Sequence, residues 1–387
     1  MRVAIIHYWL VSMRGGEKVL ESLCRLFPDA DIFTHVLDRG RLSHEILKHN
    51  IRTTFISKLP FATRFYQKYL PLMPLALEQL DLRNYDLVIS TESGPAKGVL
   101  TSAGTAHICY CHSPMRYLWD FYQDYLEQSG FFTRQFFRLF AHRLRIWDLA
   151  SAYRVDHFIA NSNNVAKRIK RHYQRESTVI HPPVDFDAFT PPGSNFKVPE
   201  PDASYLFIGQ LVKYKAADLA VRAFTASGRK LLIIGEGDQR KYLEKEAGPN
   251  ISFAGRLDGD GLRKELWSAK ALIFPGEEDF GIVPLEAMAA GKPVIAYARG
   301  GALETVKENL SGVFFQEQTI NSLNSAIDDF ETRSSEFIAE KIHASVAGFS
   351  REKFEERLRN YIDDVIQTGG KPGDLCDKAH RLVDPCS

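Results

Sequence analysis

Short unbroken apolar runs alternate along this chain with longer stretches in which apolar residues return every three or four positions. Val3–His7, Leu87–Ser90, His107–Cys111 and His157–Ala160 have the length and branched or aromatic composition of buried strands. Tyr205–Ile208, Leu231–Ile234, Ala271–Phe274 and Val294–Tyr297 read the same way. Between them, Glu17–Leu26, Lys215–Ala226, Arg240–Ala247 and Gly261–Ser268 carry the helical period. Strand–helix alternation of this kind predicts an α/β protein with parallel, doubly wound sheets and right-handed crossovers.

One stretch breaks the rhythm. Pro182, Pro183, Pro191, Pro192, Pro199 and Pro201 all fall between His181 and Ser204. Proline at that density continues neither a helix nor a central strand, so an interdomain linker is expected there. The alternation resumes on either side of it. The expected organisation is a Rossmann-like domain over 1–185, a proline-rich linker over 186–203 and a second Rossmann-like domain over 204–350. A charged amphipathic helix over 351–367 follows, free in this reading to cross back to the first domain, then a tail over 368–387 that reads as loop or disorder. Two parallel sheets facing across a cleft would hold a ligand at the C-terminal ends of their strands.

Composition narrows the class. Hydrophobic residues make up 44% and charged residues 25% of the 387 positions, enough for two buried cores. A formal net charge of +1 gives no global argument for nucleic acid. The five cysteines, Cys24, Cys109, Cys111, Cys376 and Cys386, are scattered and odd in number. They suggest buried thiols and a reducing, cytoplasmic compartment rather than a disulfide framework. The apolar start of the chain fits a first strand better than a signal peptide, and no run reaches the length of a membrane span.

Two segments, Lys58–Arg83 and Asp120–Trp147, read as long helices rich in aromatics and arginine. The second sets Phe131, Phe132, Phe136, Phe137 and Phe140 beside Arg134, Arg138, Arg143 and Arg145. Such a helix suits an anionic membrane surface through 131–145. It equally suits packing on its own domain with solvated arginines, and the sequence leaves both readings open.

The richest chemistry follows Phe274. A strand ends there, a loop carries Glu277, Glu278 and Asp279, and a helix is expected to start near Val283 with Pro284 in its first turn. Gly291 and Pro293 end it. Phe280, Gly281, Ile282 and Val283 therefore present backbone N–H groups at a helix N-terminus, an arrangement that attracts phosphate. Glu278 precedes this nest and Glu286 is expected in the first helical turn, so the two carboxylates can flank a ligand and accept from sugar hydroxyls. Two Asp-x-Asp strings, Asp185–Asp187 and Asp258–Asp260, are read as loop residues rather than metal ligands, and no metal or other cofactor is expected.

This string resembles the Glu-x7-Glu motif of family 4 glycosyltransferases, with Phe-Gly between the acids and Glu-Ala-Met-Ala-x-Gly-x-Pro-Val-Ile-Ala after them. The resemblance extends over nearly the whole chain. It implies the two-domain GT-B fold, a nucleotide-sugar donor as co-substrate, retention of anomeric configuration and no required metal. By resemblance, Glu278 contacts the donor sugar and Glu286 the ribose. Gly209-Gln210-Leu211-Val212-Lys213-Tyr214-Lys215 is similar to the family's Gly-Arg-Leu-x-x-x-Lys element, so Lys215 binds the diphosphate. Gln210 stands where arginine is usual, and Lys213 is a substitute cation. Arg14-Gly15-Gly16 resembles the glycine loop near donor phosphate and acceptor. His112, in His107–Asp120, matches the residue beside the transferred sugar. Arg116, Arg14 and Lys97 are candidates for an acceptor phosphate, and Gly235, Arg256 and Leu257 for the nucleoside edge.

Finer details, such as Arg-Gly-Gly-Ala-Leu-Glu-Thr-Val, resemble bacterial mannosyltransferases of O-antigen and capsule assembly. That implies GDP-mannose and a polyprenyl-diphosphate-linked acceptor at the inner face of the plasma membrane. A sugar-nucleotide epimerase of the same fold and a non-catalytic nucleotide-binding scaffold are the competing classes. A nicotinamide oxidoreductase is disfavoured because the dinucleotide glycine fingerprint is missing.

Overall fold

The computed structural model describes residues 1–128, 130–196, 199–200 and 202–367. The expected tail, with Cys376 and Cys386, lies outside the described residues. The chain divides into two compact units. One is Met1–Pro183 with the chain from Phe354 onward, the other Val184–Lys353.

The first unit contains β1 (Val3–His7), β2 (Asp31–Thr34), β3 (Asn50–Thr53), β4 (Leu87–Glu92), β5 (Ala106–Cys111), β6 (His157–Ala160) and β7 (Thr178–Val179). They form one parallel sheet in the order β3-β2-β1-β4-β5-β6-β7. The central strands β1, β4, β5 and β6 are buried on both faces, which is why they read as unbroken apolar runs. Ile5, Ile89 and Ile108 enter one cluster, while Ala4, Ile6 and Val88 enter another on alternate positions. The C-terminal helix Arg351–Gln367 packs Phe354, Leu358, Ile362 and Val365 into the cluster of Ile5 and Tyr110.

The second unit repeats the plan. β8 (Tyr205–Ile208), β9 (Leu231–Ile234), β10 (Ile251–Gly255), β11 (Leu272–Phe274), β12 (Val294–Tyr297) and β13 (Gly312–Phe315) make a parallel sheet ordered β10-β9-β8-β11-β12-β13. Each unit is thus a Rossmann-like domain whose strand order reverses once, between β1 and β4 and between β8 and β11. Ligands bind such sheets at the carboxyl ends of strands beside the reversal.

Several local expectations change. Lys58–Arg83 is not one helix but short turns over Phe55–Lys58, Ala62–Phe65, Tyr66–Leu72 and Met73–Glu78. Pro60, Pro71 and Pro74 account for the breaks, since each lacks an N–H and crowds the preceding turn. Asp120–Trp147 splits into Tyr122–Gln128 and Phe131–Ala152, the second opening after Gly130. The helix expected from Lys215 begins at Ala217, because Ala216 is held in the left-handed region at φ 53°. Part of the proline-rich stretch belongs to the second unit: the turn Phe186–Phe189 sends Phe189 into that core.

Candidate functional site

In the second unit, the loops after β8 and β11 meet beside the reversal point. The first runs Gly209–Ala216 and the second Pro275–Gly281. Gly276 lies so close under the first loop that a Cβ there would stand 2.8 Å from the Lys215 Cα. This approach brings Lys215 Nζ into an ion pair with Glu278 Oε1. Both side chains are mostly covered, at 15% and 17% exposure, so the pair is partly shielded from water. The two residues expected to hold diphosphate and sugar are thus paired with each other in this structure.

The helix beyond is Ile282–Ala289, with Gly281 at its N-cap in the left-handed region at φ 85°. A side chain at that position would be strained, so glycine suits it. The first N–H groups, on Gly281, Ile282 and Val283, precede the first internal helical bond. They find no backbone acceptor among the described residues, and Pro284 has no N–H to add. The result is a short arc of orphan donors beside an ammonium and a carboxylate. Phe280 contributes only backbone, because its ring is buried in the core, 5.9 Å from that of Phe349.

Glu286 requires a correction. It is the fifth residue of the helix, not part of the first turn, because the helix opens at Ile282. The start one residue earlier than expected sets it about 1.5 Å further along the helix, just past the first turn. It remains half-buried and is not without a partner.

The acid loop is held from behind by residues the motif reading passed over as site groups. Gly301 N–H donates to Glu278 O at 2.9 Å. A Cβ on Gly301 would stand 2.2 Å from the Phe280 Cα, and one on Gly300 2.3 Å from Glu278 O. The Gly300-Gly301 pair is thus required by close approach, a signal that a Gly-Gly following a strand carries in the sequence. Gly235, expected at the nucleoside edge, ties the ends of β9 and β10 together: its N–H donates to Gly255 O at 2.8 Å. Gln210 and Arg256 are exposed, and Leu257 packs partly against the core. Lys213 is exposed beside Gln210, where a substitute cation can stand. Asp258 is the N-cap of helix Gly259–Ser268, accepting from Gly261 N–H at 2.7 Å, and Asp185 pairs with Arg351 at 3.1 Å.

In the first unit, Gly16 sits in the first turn of helix Gly15–Leu26, against the ends of β1 and β5. A Cβ there would lie 2.7 Å from Tyr8 Oη, 3.5 Å from His112 Nε2 and 3.7 Å from His7 Cε1. Burial pushes the His112 imidazole down to about 3, with the neighbouring His7 adding to the effect, so it is neutral at ordinary pH. His112 Nε2 and His7 Nε2 are both buried without a hydrogen-bond partner. Buried polar atoms are seldom left so, and both face the small residue Gly16. His7 Nδ1 bonds Thr91, and Glu17 Oε1 stands 3.6 Å from His7 Nε2. Neither His7 nor Glu17 stands out as a site residue in the sequence, because their neighbourhood comes from three separate segments. Arg14 is exposed at the helix N-cap, and Arg116 stacks over Phe121 at 3.9 Å.

Lys97 is a second correction. Expected to reach an acceptor phosphate, it is fully buried, bonding Glu92 Oε1 at 2.7 Å, Asp148, and Tyr173 Oη at 3.2 Å. Glu92 and Asp148 are also fully buried. A lysine that neutralises two interior carboxylates has no ammonium to offer a ligand.

Among known proteins, residues 13–188 match the model described as Glycosyltransferase Family 4, and residues 194–344 match that of Glycosyl transferases group 1. An uncharacterized glycosyltransferase of Methanocaldococcus jannaschii is 35% identical over 34% of this chain and 36% of its own length. The alpha-1,3/1,6-mannosyltransferase of Saccharomyces cerevisiae is 26% identical over 70% of this chain and 62% of its own length. This chain thus spans between about a third and two thirds of these curated relatives. The sucrose-phosphate synthase structure from Thermosynechococcus elongatus superposes with a TM-score of 0.73 at 17% identity, over 95% of this chain and all of that one. At that identity the likeness speaks for the fold, which is that of two-domain GT-B proteins. Each half of the chain thus matches its own glycosyltransferase family model, one over 13–188 and the other over 194–344.

Proposed function

We propose that this protein is a retaining glycosyltransferase. It moves a hexose, mannose from GDP-mannose in the specific reading, to a polyprenyl-diphosphate-linked oligosaccharide at the cytoplasmic face of the plasma membrane. The observation that carries the reading is the Lys215–Glu278 pair beside the orphan amides of Gly281, Ile282 and Val283. Each member matches one part of a nucleotide sugar. The diphosphate takes the ammonium and the amides, while the sugar hydroxyls take the carboxylate. Binding then exchanges one ion pair for two new contacts, so neither charge is left uncompensated.

Rupture of the bond between anomeric carbon and phosphate oxygen leaves negative charge on the departing diphosphate. Lys215 and the helix amides stabilise that charge where it develops. The acceptor oxygen bonds the same face of the anomeric carbon, and its proton passes to the leaving phosphate oxygen. His112, neutral through burial, serves as a hydrogen-bond partner to the sugar rather than as a charged group. Glu278 and Glu286 are not a hydrolytic acid–base pair, since both address donor groups.

The test is a thermal-shift panel with GDP, GDP-mannose, UDP and UDP-glucose, followed by transfer to a lipid-linked acceptor. A shift with the guanine ligands and acceptor-dependent turnover are expected. Glu278→Ala should lower transfer at least about 100-fold; full activity in that variant sinks the assignment. Conversion of donor without acceptor would mark an epimerase.

A further inference from the structure

Helix Phe131–Ala152 has two apolar stripes where a surface helix needs one. The inner stripe is spent: Ala141 and Leu144 are buried in a cluster with Met115 and Leu118, with Phe137 packed against it. The other stripe runs Phe132, Phe136, Leu139 and Ile146, four positions at helical spacing that face outward at 87%, 52%, 66% and 57% exposure. Exposed Arg138, His142 and Arg143 border or interrupt it. From Gln128 to Trp147 the sequence contains no carboxylate, and the acid that ends this stretch, Asp148, is buried.

A neighbouring segment repeats the composition. Residues 46–77 also contain no Asp or Glu, while Lys58, Arg64 and Lys68 stand exposed. Phe61, Leu72 and Leu75 are exposed with them. The two segments touch, because Leu70 packs in the same cluster as Phe137 and Leu144. Phe61 is held outward in the left-handed region at φ 51°, its ring edge-on to Phe65. A bulky residue there costs on the order of 1 kcal/mol, without burying its ring in return.

We propose that these two carboxylate-free segments form one docking face for an anionic bilayer surface. The stripe Phe132–Phe136–Leu139, with Phe61, enters the headgroup boundary, and Arg138, Arg143, Arg64 and Lys68 meet the lipid phosphates. A protein partner would need to cover the same apolar area while neutralising clustered cations, whereas an anionic bilayer does both at once. Among the described residues no helix is long and apolar enough to cross a membrane, so this face lies on the surface rather than spanning. The inference rests on the reading above only in supplying a membrane side for a lipid-linked acceptor.

Flotation of the full chain with vesicles tests it. Vesicles of phosphatidylcholine with phosphatidylglycerol should carry the protein, phosphatidylcholine alone should not, and raised salt should weaken binding. Phe132→Ser/Phe136→Ser/Leu139→Ser, and separately Arg138→Glu/Arg143→Glu, should each reduce the bound fraction at least about tenfold. The thermal shift with nucleotide sugar should be unchanged in both. Wild-type protein that ignores anionic vesicles, or variants that bind as wild type does, would overturn the proposal. So would a dimer in ultracentrifugation that the serine variant breaks without any vesicle binding. Nucleotide shifts without vesicle binding defeat the docking face alone. Vesicle binding without any nucleotide shift defeats the transferase reading alone.

Discussion

The two units share one strand order yet fill it with opposite chemistry. Among the described residues, twenty buried side chains of the first unit are polar or charged, against three in the second. The first buries Glu92, Lys97 and Asp148 outright and keeps His35, His107 and His112 in neutral form. The second has an almost wholly apolar core, with Lys292 its one buried charge among the described residues, and carries Lys215 and Glu278 at loop ends. The topology fixes where a site can lie, while the burial of its polar groups decides whether they hold the fold or meet a substrate.

The sharpest way to break this comparison is Lys97→Met. It strands two interior carboxylates, which typically costs about 3–5 kcal/mol. Calorimetry should show the first unit's transition lowered or lost while the second unit's stays put. An unchanged profile would mean that the buried triad carries no weight.

Acid should separate the units next. Burial holds His35 and His112 down to about 3 and His107 to about 4, so the unfolded chain takes up protons that the folded one refuses. Stability therefore falls as pH drops from about 6.5 toward 4. Glu92 works the other way: burial raises it to about 7, so its effect is lost as pH rises from the ordinary carboxylate range toward 7. Three histidines outweigh one glutamate below pH 6. The first unit's melting point should fall by more than about 10 °C between pH 7 and pH 4, with little movement in the second. His35→Asn should flatten that slope, and a parallel fall in both units would refute the contrast.

A substitution in the second unit should affect binding more than folding. Gly301→Ala drives a Cβ into the Phe280 backbone and displaces the acid loop. The expected cost is about 1–3 kcal/mol in donor affinity, visible in titration calorimetry with the nucleotide sugar. Wild-type affinity would show that the loop position is immaterial. The smallest effect belongs to Gln210→Arg, which restores a cation beside Lys213 and Lys215. A charge-assisted contact should tighten donor binding by about 1 kcal/mol, and an unchanged or weaker affinity would remove this loop from the phosphate site.

The central strands were legible because burial on both faces leaves an uninterrupted apolar run. The strands that gave no such run include all four sheet edges: β3, β7, β10 and β13. Asn50–Thr53 is mostly exposed and polar, and Thr178–Val179 is two residues long. An edge strand has a half-solvated flank, so its pattern fades into that of a loop. Within the site, Glu278, Gly281 and Lys215 were legible as a contiguous motif or a family element. His7 beside Gly16 was not, nor was the Lys215–Glu278 pair, because segments distant in the chain meet only when the sheet closes.

By itself, the sequence determined the alternating strand–helix plan, the break near the prolines and a helix start close to Gly281, since all three follow from local sterics and periodicity. Only the tertiary structure decided which charges are enclosed in the core and which stand at a loop end. Lys97 and Lys215 are each a lysine in the loop after a central strand, indistinguishable by local pattern. Three elements close over Lys97, and removing water there makes its two carboxylates obligatory partners. Lys215 keeps a single carboxylate partner among the described residues, at a partly open loop end, so a bound diphosphate can take its place.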